Sequence, residues 1–297
     1  MAKISRRDAG KLLIAGSAGL WAASRKGWSV PYIDSAIKGV QIGAQSYSFR
    51  DRDLDACIEA FVTVGLGECE LVESHAAPKL EGEALRKWWL TAPASHFHDV
   101  RTKFDNAGVR IYALTYAFRK GMTDEDIEAG FKAAEALGVK YITSSSNVSM
   151  AHRVDKYAQK YKIMVGFHGH DQTSNPDEFS TPQTFARAMK DASRYIGVNL
   201  DIGHFVAANG DPVAYIREHH QKIVTLHLKD RKKNHGANLP FGQGDTPIVA
   251  VLRLLRDNKW KIPANIEYEY GEPPKFNTIA EVEACYDYCR RALQGLG

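Results

Sequence analysis

From residue 40 onward the chain alternates short β-branched runs with longer amphipathic ones, and this rhythm limits the fold more than any other feature. Eight runs read as strands: VQIGAQSY from Val40, GECELVES from Gly67, VRIYALTY from Val109, VKYITSSS from Val139, KIMVGFHGH from Lys162, IGVNLDIGH from Ile196, KIVTLHLKD from Lys222 and KIPANIEYE from Lys261. Helical periods lie between them. DEDIEAGFKAAEALG places Ile127, Phe131, Ala134 and Leu137 on one stripe and stops at Gly138. Thr246 and Pro247 read as the cap and first turn of another helix. The final helix turns Ile279, Val282, Tyr286, Cys289 and Leu293 inward. Eight such units in about 250 residues predict an α/β fold, a single (β/α)8 TIM barrel over residues 38–297. The rival, a doubly wound open sheet, would usually carry a glycine-rich phosphate turn after its first strand; QSYSFRDRD there has none.

The formal net charge is +4, and Lys3, Arg6, Arg7 and Lys11 against Asp8 supply +3 of it. A body this close to neutral carries no electrostatic footprint for nucleic acid. The basic opening, with Arg6-Arg7, precedes a moderately apolar stretch from Leu12 to Ala23 and small residues at Ala22 to Ser24. Residues 1–30 therefore read as a twin-arginine export signal, which would place the protein in the periplasm or cell envelope. The alternative is an ordinary amphipathic first helix on a cytoplasmic protein. No stretch approaches the roughly 20 apolar residues that a membrane span needs. Cys57, Cys69, Cys285 and Cys289 form no C-x-x-C pair and read as core residues rather than a structural zinc site.

The polar residues fall unevenly. In a (β/α)8 barrel the carboxyl ends of the strands build the active site. Strand five ends in His168 and His170, which are two apart and so share a face. Strand six ends in Asp201 and His204, strand seven in His227, Lys229 and Asp230, and strand eight in Glu267 and Glu269. Clustered carboxylates resist burial unless a cation offsets them. His168, Asp201, His227 and Glu267 are thus the expected ligands of one divalent metal ion. Two imidazoles and two carboxylates suit Mn, Co, Zn or Fe better than Mg or Ca. His170, His204 and Glu269 would support these ligands or face the substrate. Gln45, Tyr47, Phe49, Glu70, Glu73 and Tyr116 are candidates for the pocket lining, and Trp88 and Trp89 for core or interface.

These motifs resemble the xylose-isomerase-like barrel superfamily of sugar phosphate isomerases and epimerases. The family's H-x-H corresponds to His168-Gly169-His170, its D-x-G-H to Asp201-Ile202-Gly203-His204, its H-x-K-D to His227-Leu228-Lys229-Asp230, and its strand-eight glutamate to Glu267. FGQGDTPI from Phe241 resembles its glycine-rich loop. The resemblance implies one divalent metal and a small polyhydroxy carbonyl substrate, a sugar or keto sugar. Sugar epimerases of this group carry glutamate on strand five where this chain has His168, a departure from their two-glutamate proton shuttle. The His-x-His form resembles more the inosose dehydratase branch and the lyases and hydratases of 3-keto sugars. The superfamily's DNA-repair branch, with its richer multi-metal ligand set, fits a nearly neutral exported chain poorly.

The chemistry expected is proton abstraction beside a carbonyl, with Glu267 as base, Lys229 or His170 as proton donor to an oxygen, and His204 orienting a substrate hydroxyl. Isomerisation or epimerisation, elimination, and non-catalytic sugar binding are the three outcomes that the sequence leaves open, and it sets no oligomeric state.

Overall fold

A computed structural model describes residues 30–271 and 275–295. The expected leader, residues 1–30, lies outside them but for Val30. Eight strands form the barrel: β1 (Val40–Gln45), β2 (Glu68–Val72), β3 (Arg110–Thr115), β4 (Tyr141–Ser144), β5 (Met164–His168), β6 (Ile196–Asp201), β7 (Ile223–Leu228) and β8 (Ala264–Ile266). Each pairs in parallel with its sequence neighbours, and β8 and β2 both pair with β1, which closes the sheet. All eight expected strands are present. A short strand, Ala36–Ile37, runs antiparallel to β1 and lies just before residue 38.

The helices follow from local chemistry. The helix Asp124–Ala136 opens on a reciprocal cap between Thr123 and Asp126 and buries Ile127, Phe131 and Ala134. The helix Ile248–Asn258 differs from expectation at its start, where Pro247 is the cap position and no side chain caps it. Thr246 is used elsewhere: its hydroxyl accepts the Arg231 N–H at 3.0 Å. The last helix, Thr278–Gln294, buries Val282, Tyr286, Cys289 and Leu293 and is capped by Asn277. All four cysteines are buried and free. Trp89 is buried against Tyr116, with ring centroids 5.0 Å apart, and Trp88 packs beside it. Among the described residues no helix is long and apolar enough to cross a membrane.

The barrel interior is unusual in being polar. Glu70 on β2 receives hydrogen bonds from His227 on β7, Thr143 on β4, Thr115 on β3 and Asn265 on β8, which only a side chain inside the barrel can do. Packed layers of Val, Ile and Leu are the commoner filling. Two residues earlier, Glu68 points to the same side and is 4% exposed, with one carboxylate oxygen lacking any hydrogen-bond partner. Burial pushes its pKa up to about 7, with Arg110 opposing and Glu70 adding to the rise. The native state therefore holds an extra proton between the unfolded value of 4.5 and about 7, and stability falls as pH rises through that window. Glu68→Gln is expected to stabilise the barrel by about 3 kcal/mol at pH 8 and by almost nothing at pH 4. Denaturant unfolding at the two pH values checks this.

Candidate metal centre

Each side chain of the centre is placed by a strand end. His168 is the last residue of β5 and Asp201 the last of β6. His227 is the penultimate residue of β7. Glu267 follows β8, and its N–H continues the ladder to the Leu228 carbonyl at 3.1 Å. One donor atom from each of these four buried residues lies within 4.8 Å of the other three. His168 Nε2 is 3.5 Å from Asp201 Oδ2 and 3.7 Å from Glu267 Oε2. His227 Nδ1 is 3.0 Å from Glu267 Oε2.

Local chemistry aims these atoms. Asp201 caps the short helix Ile202–Ala207, its Oδ1 accepting the His204 N–H at 2.7 Å, which leaves Oδ2 turned to the group. Only glycine fits at position 203, because a Cβ there would lie 2.7 Å from the Lys229 carbonyl oxygen. His227 is set from below. Its Nε2–H donates to Glu70 Oε1 at 2.9 Å, so Nδ1 faces the other three residues. Burial alone would raise the Glu70 pKa, but the His227 charge and hydrogen bonds from His227 and Thr143 hold it below the usual carboxylate range. Burial likewise disfavours the charged His227 ring, yet Glu70 and Glu267 on either side lift its pKa well above the imidazole range.

The residues fit a metal ion. Both ring nitrogens of His168 are buried without a hydrogen bond, an expensive arrangement for a polar ring unless a ligand completes it. Mixed imidazole and carboxylate donors suit a borderline transition metal.

The carboxylates are not, however, as uncompensated as the sequence alone suggests. Lys229 is buried with its Nζ 3.0 Å from Asp201 Oδ2, 2.8 Å from Glu267 Oε2 and 2.6 Å from Glu269 Oε2. Burial opposes its charge, but these three carboxylates hold its pKa above the ordinary lysine range. Burial opposes the charge of Glu267 as well, and Lys229 and His227 keep its pKa well below the usual value. His204 lies between cations, one ring nitrogen 3.0 Å from Lys229 Nζ and the other 2.6 Å from Arg231 Nη1. Burial and Lys229 push its pKa down, so the ring is neutral.

Above the group opens a cavity of about 360 Å³ lined by His168, His170, His204, Glu267, Glu269 and Gln45, among others. His170 stands in its wall with Nδ1 2.9 Å from Glu178 Oε1 and Nε2 3.5 Å from Ser145 Oγ. Of the expected lining residues, Tyr47 and Glu73 also face the cavity. Three do not. Phe49 is fully buried against Phe61, Glu70 lies beneath His227, and Tyr116 is buried with its hydroxyl on the Asp126 carbonyl. Asp230, a rim residue by sequence, belongs to the frame. Its carboxylate accepts the N–H groups of Gly242, Gly244 and Thr246 at 2.7, 2.9 and 3.1 Å, and a Cβ at position 244 would lie 2.0 Å from it.

Sequence reasoning missed Glu178, Ser145 and Arg231. Ser145 and Glu178 lie in connections and Arg231 in the two-residue strand Asp230–Arg231, segments too short to carry a periodic signal.

A profile of the xylose isomerase-like TIM barrel family matches residues 98–288. The chain belongs to that family. An inosose dehydratase of Lactiplantibacillus plantarum is 24% identical to this family member over 153 residues, 46% of the chain and 50% of the dehydratase. The match thus spans about half the length of that relative. Among solved structures, a sugar phosphate isomerase/epimerase from Parabacteroides distasonis superposes with a TM-score of 0.63 at 17% identity, over 90% of this chain and 99% of that one. IolI, with a bound zinc atom, gives 0.66 at 14% identity over 86% and 98%. AsbF of Bacillus anthracis, a probable 3-DHS dehydratase, gives 0.62 at 13% identity, again over 86% and 98%. At such identities these likenesses establish the barrel fold; the relatives whose names state an activity are an isomerase/epimerase and two dehydratases, one of them probable.

Proposed function

We propose that this family member is a divalent-metal-dependent enzyme that removes a proton beside the carbonyl of an uncharged sugar or keto sugar, as an isomerase or epimerase does. The supporting observation is the convergence of His168, Asp201, His227 and Glu267 donor atoms within 4.8 Å at the floor of an open cavity. These four would hold the ion, which when bound supplies Lewis-acid stabilisation of the charge developing on the carbonyl oxygen. Glu267, kept ionised by Lys229 and His227, takes the proton from the adjacent carbon. The C–H bond breaks and its electron pair moves toward the carbonyl oxygen. His170, held by Glu178 in the opposite role, delivers a proton to a substrate oxygen. Lys229 is a fixed positive charge in this scheme rather than the donor, because three carboxylates hold its proton. His204, expected to orient a hydroxyl, has both ring nitrogens engaged by Lys229 and Arg231 and serves as cavity wall.

Among the described residues, the rim supports an uncharged substrate. Phosphate sites in such barrels use backbone N–H groups in the loops after strands seven and eight. Here Asp230 already takes the Gly242, Gly244 and Thr246 amides, and the cavity's Arg119 is paired with Glu73 at 2.7 Å.

Elimination is the second reading. His168 stands on strand five where a two-carboxylate shuttle needs a second acid, and the inosose dehydratase similarity points the same way. Metal-loaded protein incubated with keto sugars in D₂O separates the outcomes by NMR. Deuterium entering carbon beside the carbonyl without net loss of a group is the expected result. Loss of water or an alcohol would assign elimination, and no exchange with any bound sugar would assign a binding protein. The leader read in residues 1–30 supports action in the periplasm or cell envelope.

A further inference from the structure

Glu73 and Arg119, which form one wall of the cavity over the metal centre, also line a second cavity of about 320 Å³. Its other walls include Leu85 and Trp89 from the helix Gly82–Thr91, and Tyr116 and Met122 from the segment after β3. We propose that this second cavity is a subsite for an apolar group attached to the sugar, so that the substrate is a glycoside with an aryl or alkyl aglycone rather than a free monosaccharide. The proposal rests on the reading of the metal centre given above and extends it.

Three observations carry it. The first is continuity: the Glu73–Arg119 ion pair, 2.7 Å across, is a lip common to both spaces, and Arg119 is largely exposed there. A ligand seated over His168 and Glu267 can reach across that lip without crossing the protein interior. The second is size. At about 360 Å³ the first cavity sits near the lower end of the ~300–1,000 Å³ range of small-molecule sites, room for one sugar ring. The adjoining space is of similar volume and has no other occupant that the chemistry of the first cavity requires.

The third is the chemistry of the lining. Leu85 and Met122 are partly exposed and pack against the core, with the buried rings of Trp89 and Tyr116 behind them. The charged residues at its edge are already engaged with protein partners. Arg86 holds Asp126 at 2.8 Å and Glu83 at 3.2 Å, Arg119 holds Glu73, and Lys120 is paired with Asp177. Glu73, Glu83 and Asp126 balance these cations, so the edge carries no net field that selects an anion. An apolar group need only cover the hydrocarbon surface, which is favourable in proportion to the area removed from water.

The test compares 3-keto-glucose with its phenyl β-glycoside on metal-reconstituted full-length protein, by calorimetric titration and by deuterium exchange in D₂O. Phenyl glycoside binding about 10- to 100-fold tighter than the free keto sugar is expected. Leu85→Glu and, separately, Met122→Glu should shrink that difference while leaving the free sugar's affinity unchanged; neither residue belongs to the metal centre. Equal binding of the two probes, or a preference that survives both substitutions, overturns the subsite while the metal-centre reading stands. No binding and no exchange with either probe overturns the metal-centre reading, and the subsite with it.

Discussion

Metal-loaded Glu267→Gln protein is expected to exchange and convert its substrate about 10²- to 10⁴-fold more slowly than the parent. Gln keeps the shape and loses the basic oxygen. The fold should survive, because Lys229 retains Asp201 at 3.0 Å and Glu269 at 2.6 Å as partners. Single-turnover measurements at saturating metal, with an unfolding curve for each protein, separate a lost base from a lost fold. Turnover within a few-fold of the parent would remove Glu267 from the chemistry.

The second large effect is at His227, and it has two parts. His227→Ala removes an expected ligand, so metal content measured by elemental analysis after reconstitution should fall steeply. It also strands Glu70, a fully buried carboxylate whose cationic partner is the His227 ring 2.9 Å away. Removing one member of a buried pair typically costs about 3–5 kcal/mol. Adding Glu70→Gln to His227→Ala takes away the stranded charge. Much of the stability should then return while metal binding stays lost, a non-additivity expected only of residues in contact. Full metal occupancy in the single variant would rule out His227 as a ligand. Failure of the second substitution to recover stability would show that Glu70 draws its compensation from Thr143, Thr115 and Asn265 instead.

Much of this architecture is legible in the sequence, for a reason that particular residues illustrate. Strand ends such as Phe167-His168 and Leu200-Asp201 switch from apolar to polar at the point where the barrel opens to solvent, and the period of two then fixes which polar residues share the mouth. His168, Asp201, His227 and Glu267 could therefore be grouped from spacing and the motifs they resemble. What spacing does not encode is partnership across the barrel. Glu70 reads as one more polar residue on β2, and nothing local marks it as the partner of a histidine 157 positions later. Asp230 likewise reads as a rim carboxylate, although its partners are three backbone amides in the glycine-rich loop. Glu178 and Ser145 come from loops, where tertiary closure rather than periodicity decides what faces the cavity.

The ammonium of Lys229, seated among Asp201, Glu267 and Glu269, has a bearing on how the protein matures. In small zinc domains the ligands repel one another until the metal arrives, so binding and folding are a single event. Here a permanent resident cation offsets much of that repulsion, and the large core of buried apolar side chains does not depend on four ligands for its stability. If the group holds a divalent ion as proposed, folding would not wait for it: a fully formed but unloaded protein would persist, and the ion taken would be decided by what its surroundings offer and by the intrinsic ranking of divalent metals for nitrogen and oxygen donors.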